Sequence, residues 1–284
     1  MLKVLPVKKE NFDNIYPLLT QIPSPIPIPK ETWRNLFNQQ WDCQVEPFGY
    51  VLMDENEIVG FLGLINVHRE INGQKHHISC LTSWTVKKQY TGHSIKLLFP
   101  FIRDHERTLT CFTPAKNVDA VFRKFGFQEL HAFWQVIPFW RMSLHKNDYQ
   151  IHFDIDHYRS VLTEEDWHIY CAHQKFSSAH FIIKNGETYC YGVAKRVLKK
   201  NLPFLHIHYL SDKKPFMKVI QKFAGMICWR FKVLGLIIFS SYLLDKKIKG
   251  AITLPIPAKP LFRSQTLKSQ DIDSLYSEYF VLDF

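Results

Sequence analysis

Apolar and polar positions fall into short blocks whose spacing predicts an alternation of strands and helices. Leu2 to Val7 reads as a first strand, and Glu10 to Gln21 as a helix with Phe12, Ile15, Leu18 and Leu19 on one face. The next stretch, Ile22 to Pro29, has proline at every second position, which forbids a helix and predicts a stiff, extended connector. A second helix is expected near Glu31 to Trp41. Phe48 to Met53 and Ile58 to Val67 flank the polar run Asp54-Glu55-Asn56-Glu57 and read as a β-hairpin. Asn72-Gly73 predicts a tight turn into a strand from His76 to Val86. A helical pattern follows (Ile95, Leu97, Leu98, Phe101, Ile102), then a short strand from Thr108 to Phe112. Asn117 to Phe125 reads as a helix stopped by Gly126, with Phe127 packing behind it. Ala132 to Met142 would then close a first unit as a long aromatic strand.

The second half reads as a worn copy of the first. Tyr50 to Met53, a polar turn and Ile58-Val59-Gly60 recur as Phe181 to Lys184, Asn185-Gly186-Glu187 and Tyr191-Gly192. A strand (Phe204 to Leu210), a helix (Pro215 to Phe231), a strand (Val233 to Phe239) and a last strand (Tyr279 to Leu282) are expected. The division predicted is 1–145 and 146–284.

Composition narrows the class. The chain has 284 residues, 46% of them hydrophobic, with 23 Phe, 12 Tyr and 7 Trp, enough for a substantial core and against disorder. A formal charge of +10 and a pI near 9.2 favour anionic partners. The basic residues come in short groups such as Lys87-Lys88, Lys195-Arg196, Lys199-Lys200 and Lys213-Lys214. These read as a solvated surface, and nucleic acid is not the expected partner. None of the six cysteines, Cys43, Cys80, Cys111, Cys171, Cys190 and Cys228, forms a Cys-x-x-Cys pair, and several sit in apolar runs, as reduced thiols do. The longest apolar run, Val233 to Leu244, is too short to span a bilayer, so no membrane span is expected. A cytoplasmic setting is the expectation. His206-Ile207-His208 and the group His152, Asp154, Asp156 and His157 lack a third ligand at recognisable spacing, so no metal is expected.

The most telling segment is Trp84-Thr85-Val86-Lys87-Lys88-Gln89-Tyr90-Thr91-Gly92-His93-Ser94. A strand, a small-residue turn and a helix start predict a phosphate cradle, because first-turn amides lack intrahelical partners and the helix dipole favours an anion. Gly92 would admit a phosphate close to the backbone.

This segment resembles the coenzyme A loop of the GCN5-related N-acetyltransferase superfamily, Gln/Arg-x-x-Gly-x-Gly/Ala. Gln89 and Gly92 match, and Ser94 stands where a second Gly or Ala is usual. The ending Arg123-Lys124-Phe125-Gly126-Phe127 and the order of elements resemble the same family. The resemblance implies an α+β sandwich with the acyl-CoA N-acyltransferase fold, in tandem, the second copy degenerate. At the matching junction of that copy, Ser211-Asp212-Lys213-Lys214-Pro215 has no glycine, and Asp212 would repel a pyrophosphate.

The resemblance also implies roles. Backbone groups of Trp84, Thr85 and Val86 would hold the pantetheine arm of acetyl-CoA or another acyl-CoA, in a splay made by a bulge in the fourth strand. The amides of Gln89, Tyr90, Thr91, Gly92, His93 and Ser94 would hold the diphosphate. Asn117 and Phe122 stand near the places of a family Asn and Tyr, Asn117 two residues closer to the glycine than usual. With no acid near the start of the fourth strand, His77 is the candidate base. With Phe122 in place of the tyrosine, Tyr90, Cys111 or water would protonate the leaving thiolate; otherwise catalysis rests on positioning, or activity is lost. The expected acceptor is an amine or hydroxyl on a small or glycan-type molecule, and the positive charge fits an anionic one. A non-catalytic scaffold and an aminoacyl-tRNA-dependent transferase are the alternatives.

Overall fold

The computed structural model describes residues 1–24, 27–38, 41, 47–131, 133–141, 148–243 and 246–282, with the backbone alone at 116, 117 and 141. Cys43, Pro25 and Ile26 lie outside the described residues. The chain divides into two compact units. The first is 1–129 with 258–271 and 276–284, and the second is 130–257 with 272–275.

The first unit begins with β1 (Lys3–Pro6), α1 (Phe12–Leu19) and α2 (Lys30–Arg34). β2 (Gly49–Asp54), β3 (Glu57–Ile71) and β4 (Gln74–Val86) form an antiparallel meander. Asn72 and Gly73, between β3 and β4, both have positive φ, 54° and 74°, as the expected Asn-Gly turn requires. A long run of 3-10 turns (Lys88–Leu98) leads to α3 (Phe99–Ile102), then β5 (Thr108–Cys111), α4 (Lys116–Lys124) and β6 (Gln128–Glu129). α4 ends in a Schellman arrangement: Phe127 N–H donates to Phe122 C=O and Gly126 N–H to Arg123 C=O, with Gly126 at φ 83°.

The second unit holds β7 (Phe133–Pro138), β8 (Gln150–His152), α5 (Glu164–His173), β9 (Ser178–Asn185), β10 (Thr188–Lys199), β11 (Leu202–Leu210), α6 (Lys213–Phe231), β12 (Gly235–Phe239) and β13 (Ile252–Pro255). β14 (Leu261–Arg263) and α7 (Glu278–Val281) return to the first unit. The segment expected as a last strand is therefore a one-turn helix.

Each unit is built on one seven-stranded sheet, and the two repeat a single plan. The first runs β1-β2-β3-β4-β5-β14-β6, and the second, read in the matching direction, β8-β9-β10-β11-β12-β7-β13. In both, the fourth and fifth strands are parallel and their neighbours antiparallel. The sixth place is exchanged along the chain. β7, expected to close the first unit, lies in the second sheet, paired with β12 from Trp134–Phe239 to Pro138–Gly235. β14 takes the corresponding place beside β5 in the first sheet, through Leu261–Cys111, Phe262–Thr110 and Arg263–Leu109. Apolar alternation says that such a strand has a buried face but not which sheet receives it.

The first core gathers Leu52, Leu64, Leu81, Leu97, Phe101 and Phe122. That of the second packs α6, through Phe216, Phe223 and Ile227, onto the sheet. Gly60 and Gly192 occupy matching positions, as expected, for the same steric reason. A Cβ on Gly60 would strike the Val86 side chain, and one on Gly192 the Phe181 ring.

Candidate active site

β4 and β5 pair at only three places, Ile78–Thr108, Ser79–Leu109 and Cys80–Thr110. β5 ends one residue later, at Cys111, while β4 continues to Val86. β4 stays attached to β3 on its other side, through Gly63–Thr82, Phe61–Thr85 and Gly60–Val86. Leu62 therefore faces two residues, Ser83 and Trp84, and β4 is bulged. Ser83 takes φ 55°, a left-handed conformation that costs a residue with a side chain about 1–2 kcal/mol. The bulge bends the strand where the ladder to β5 stops.

A cleft of about 460 Å³ opens there. One wall is β4 from Leu81 to Thr85, and the other is Cys111 with Thr113, Pro114 and Ala115. Val118 and Phe122 of α4 and Leu282 complete it. The Pro-rich connector adds Ile22, Pro23, Ser24 and Ile28, so the segment expected to serve only as a spacer is also a wall of the site. None of the described lining residues carries a charge.

Two polar features stand out in this apolar setting. The Trp84 indole packs on Phe122, with centroids 5.5 Å apart, and its Nε1–H is buried with no hydrogen-bond partner. An orphaned buried donor costs about 1–3 kcal/mol unless a ligand accepts from it. Thr113, exposed on the opposite wall, donates its hydroxyl proton to Glu278 Oε1 at 2.7 Å. Burial, with the Glu278 charge adding to it, raises the Cys111 thiol well above its usual range, so it stays protonated.

Of the residues singled out in the sequence, Trp84, Thr85, Cys111 and Phe122 meet at this cleft. Val86 follows on β4, paired with Gly60. The side chain of Asn117 lies outside the described atoms; its backbone is in the first turn of α4.

The helix start expected to form the phosphate cradle is absent among the described residues 88–98. Gln89, Tyr90, Thr91, Gly92, His93 and Ser94 lie within the 3-10 run, not at an α-helix start, and the Tyr90 N–H already donates to Lys87 C=O at 2.8 Å. Pro100 stands in the first turn of α3. It has no N–H to offer the carbonyl of residue 96, so the α-helical ladder is interrupted there and α3 begins as a separate helix. The apolar spacing of Ile95 to Ile102 predicted a helix because periodicity ignores this proline. Gly92 needs no special freedom here, since a Cβ would meet nothing within 4 Å.

Two catalytic candidates lie away from the cleft. His77 faces His68 across the β3–β4 ladder, ring centroids 4.6 Å apart. It is six residues before Ser83, roughly 20 Å along an extended strand. Burial, then Arg107 and His68, lower its pKa to about 4. The Tyr90 hydroxyl donates to Asp54 Oδ2 at 2.8 Å, and that hydrogen bond raises its pKa. Its proton is committed away from any thiolate in the splay.

Glu278 escaped sequence reasoning altogether. It lies 165 residues from Thr113 in the chain, in a segment that reads as an apolar strand. His206 and His208 are both buried, rings 4.5 Å apart, in the second unit. Among the described residues no three His, Cys, Asp or Glu side chains are placed to hold a metal. No helix among them is long and apolar enough to cross a membrane.

No family model matches the sequence, and no curated protein does. Solved structures do match. A GCN5-related N-acetyltransferase from Anabaena variabilis superposes with a TM-score of 0.61 at 11% identity, over 93% of this chain and 72% of that one. One from Kribbella flavida gives 0.60 at 10% identity, over 93% and 71%. Eis1 from Mycobacterium abscessus gives 0.52 at 10% identity, over 93% and 73%. At these identities the likeness is one of fold, and it extends over both sheets, since more than nine-tenths of this chain is covered. The chain has the GCN5-related N-acetyltransferase fold, an α+β acyl-CoA N-acyltransferase architecture built from two such units.

Proposed function

We propose that the first unit is an acyl-CoA-dependent acyltransferase that passes an acyl group directly to an amine or hydroxyl of a small acceptor. One observation carries this reading: β4 parts from β5 after Cys80–Thr110 and leaves its edge open onto a cleft. An extended thioester arm can add there as a strand, against the backbone of Trp84 and Thr85. The Trp84 indole N–H is a donor waiting for a carbonyl. The acceptor's heteroatom attacks the thioester carbon, and backbone N–H groups at the bulge can stabilise the developing oxyanion.

The acceptor proposed is uncharged at its reacting end. The expectation of an anionic acceptor came from basic groups that belong mostly to the second unit, and Lys195 among them is only 2% exposed. In the described cleft lining no cation stands ready to pair with an anion. The five described cysteines are unbridged, which suits a reducing, cytoplasmic setting.

The reading is tested by calorimetric titration with acetyl-CoA, beside Trp84→Phe. Removing the indole N–H should weaken the donor about tenfold, or ~1.4 kcal/mol, without lowering the Tm of the free protein. Equal affinity in the two proteins would remove Trp84 from the donor site. A second reading, a binding protein without catalysis, draws on Phe122 in place of a tyrosine acid and on the wound turn at Gln89–Ser94. It requires acetyl-CoA to bind while no thiol is ever released.

A further inference from the structure

Glu278 opens α7 and is fully buried in the first unit. Both carboxyl oxygens receive a donor from the point where the sheet splits. Cys80, the last residue of β4 paired with β5, donates its thiol proton to Oε2 at 2.9 Å. Thr113, two residues past the end of β5, donates to Oε1 at 2.7 Å. The groups around the carboxyl are Cys80 from β4, Cys111 from β5, Thr113 beyond it, and Tyr279 of α7 itself. Burial raises the pKa of Glu278, and it holds both thiols and the Tyr279 phenol protonated. Among the described residues no cation acts on the carboxylate, so its ionised form depends on these donors.

A carboxyl needed only to pin the C-terminal segment could have been an amide. Of the two side chains that donate to it, Cys80 is buried, whereas Thr113 is exposed and lines the cleft. Resting on the acyltransferase reading above, we infer that Glu278 is the proton sink of this cleft and works through Thr113. As the acceptor's nitrogen or oxygen bonds to the acyl carbon, the carbon–sulfur bond breaks and sulfur leaves with the electron pair. The acceptor's proton passes to Thr113 Oγ1, and the proton of Thr113 passes to Glu278 Oε1. The thiolate takes a proton from water. Glu278 returns its own by the reverse path once product leaves, so charge and atoms balance. Glu278 touches Thr113 and not the acceptor, which makes it a positioning residue.

The test combines turnover with a direct view of the carboxyl. Thiol release from acetyl-CoA is followed against pH with aniline as acceptor, uncharged at assay pH, so that its own ionisation does not shape the profile. Wild type should lose rate on the acid side as Glu278 becomes protonated. Glu278→Gln should fall about 100-fold and lose that acid limb, with acetyl-CoA affinity retained. Thr113→Ser should keep the limb, and Thr113→Val should behave like Glu278→Gln. Infrared difference spectra, with the carboxylic C=O band assigned by its loss in Glu278→Gln, should shift on adding aniline in wild type and Thr113→Ser, but not in Thr113→Val. An acid limb that survives in Glu278→Gln, or a band indifferent to aniline, overturns the relay. If the band responds while wild type releases no thiol, the proton path stands and the acyltransferase reading falls.

Discussion

The two units share one strand order and one bulge, and differ in what the bulge meets. In the second, β11 and β12 pair in parallel at Leu205–Leu236 and His206–Ile237, and His208 is the extra residue between Ala194–Ile207 and Val193–Tyr209. This is the place of Ser83 and Trp84 in the first unit. There the strand edge faces a cleft and an indole N–H has no partner. In the second unit the chain fills the gap itself. The His208 C=O accepts from the Tyr242 hydroxyl at 2.7 Å, its Nδ1 bonds Ser274 Oγ at 2.8 Å, and Tyr242 is 2% exposed. Topology alone therefore does not fix what the bulge faces. What counts is whether the edge freed by the bulge is left for a ligand or consumed internally.

The contrast should appear most strongly in acid. Burial lowers the pKa of His180 to about 4 and of His206 to about 3, and lowers His131 and His208 well below the usual value, all in the second unit. Unfolding lets each take up a proton at an ordinary pKa near 6.5. Stability from neutral burial is thus complete above that value and is lost as pH falls through it toward the folded pKa. Near pH 5 the loss is about 2 kcal/mol for each of His180 and His206. The first unit has His77 shifted the same way, half-buried, while the raised Glu278 carboxyl gains stability on acidification. Asp166, raised by burial, offsets part of the loss in the second unit. Unit-resolved hydrogen exchange, corrected for intrinsic rates, should show the second unit opening first between pH 7 and 5. Simultaneous opening would mean that the histidines do not set the difference.

A smaller effect comes from closing the first unit as the second is closed. Ala115, exposed at the N-cap of α4, lines the cleft, and Ala115→Trp puts an indole into it. Acetyl-CoA affinity should fall about 100-fold, or ~2.7 kcal/mol, with little change in Tm. Calorimetry that finds the affinity intact would place the donor outside this cleft.

What the sequence revealed follows from the reach of each signal. Asn72-Gly73, the stop at Gly126-Phe127 and the hairpins were legible because a turn is decided by residues two to five apart. That Trp84, Thr85 and Phe122 share one cleft was within reach because the strand and α4 carry local patterns. The exchange of β7 and β14 was not legible, since both are short apolar strands and nothing within them names a partner. The contacts of Glu278 were hidden for the same reason: its donors are Cys80 and Thr113, 198 and 165 residues away. Pro100 was legible and outweighed the periodicity around it.

Gly92 gives the smallest effect and the sharpest contrast. The second unit opens α6 with Asp212, whose carboxylate accepts from the Lys214 N–H at 2.8 Å and sets a negative charge at the matching junction. Gly92→Asp gives the first unit that same charge, and Gly92→Ala serves as its uncharged control. The turn has room for both, because a Cβ at Gly92 meets nothing within 4 Å. Its backbone also lies outside the positive-φ region, so Ala should raise stability by about 0.4–1 kcal/mol through the unfolded chain and leave acetyl-CoA affinity unaltered. If the diphosphate rests against the 3-10 run, Asp should weaken acetyl-CoA by ~1 kcal/mol, about fivefold, and the loss should shrink as salt is raised. Equal affinity in the Ala and Asp variants at low salt would take the turn out of the donor site. The donor would then be held by the cleft between β4 and β5, where an open strand edge, and not a helix start, separates the two units.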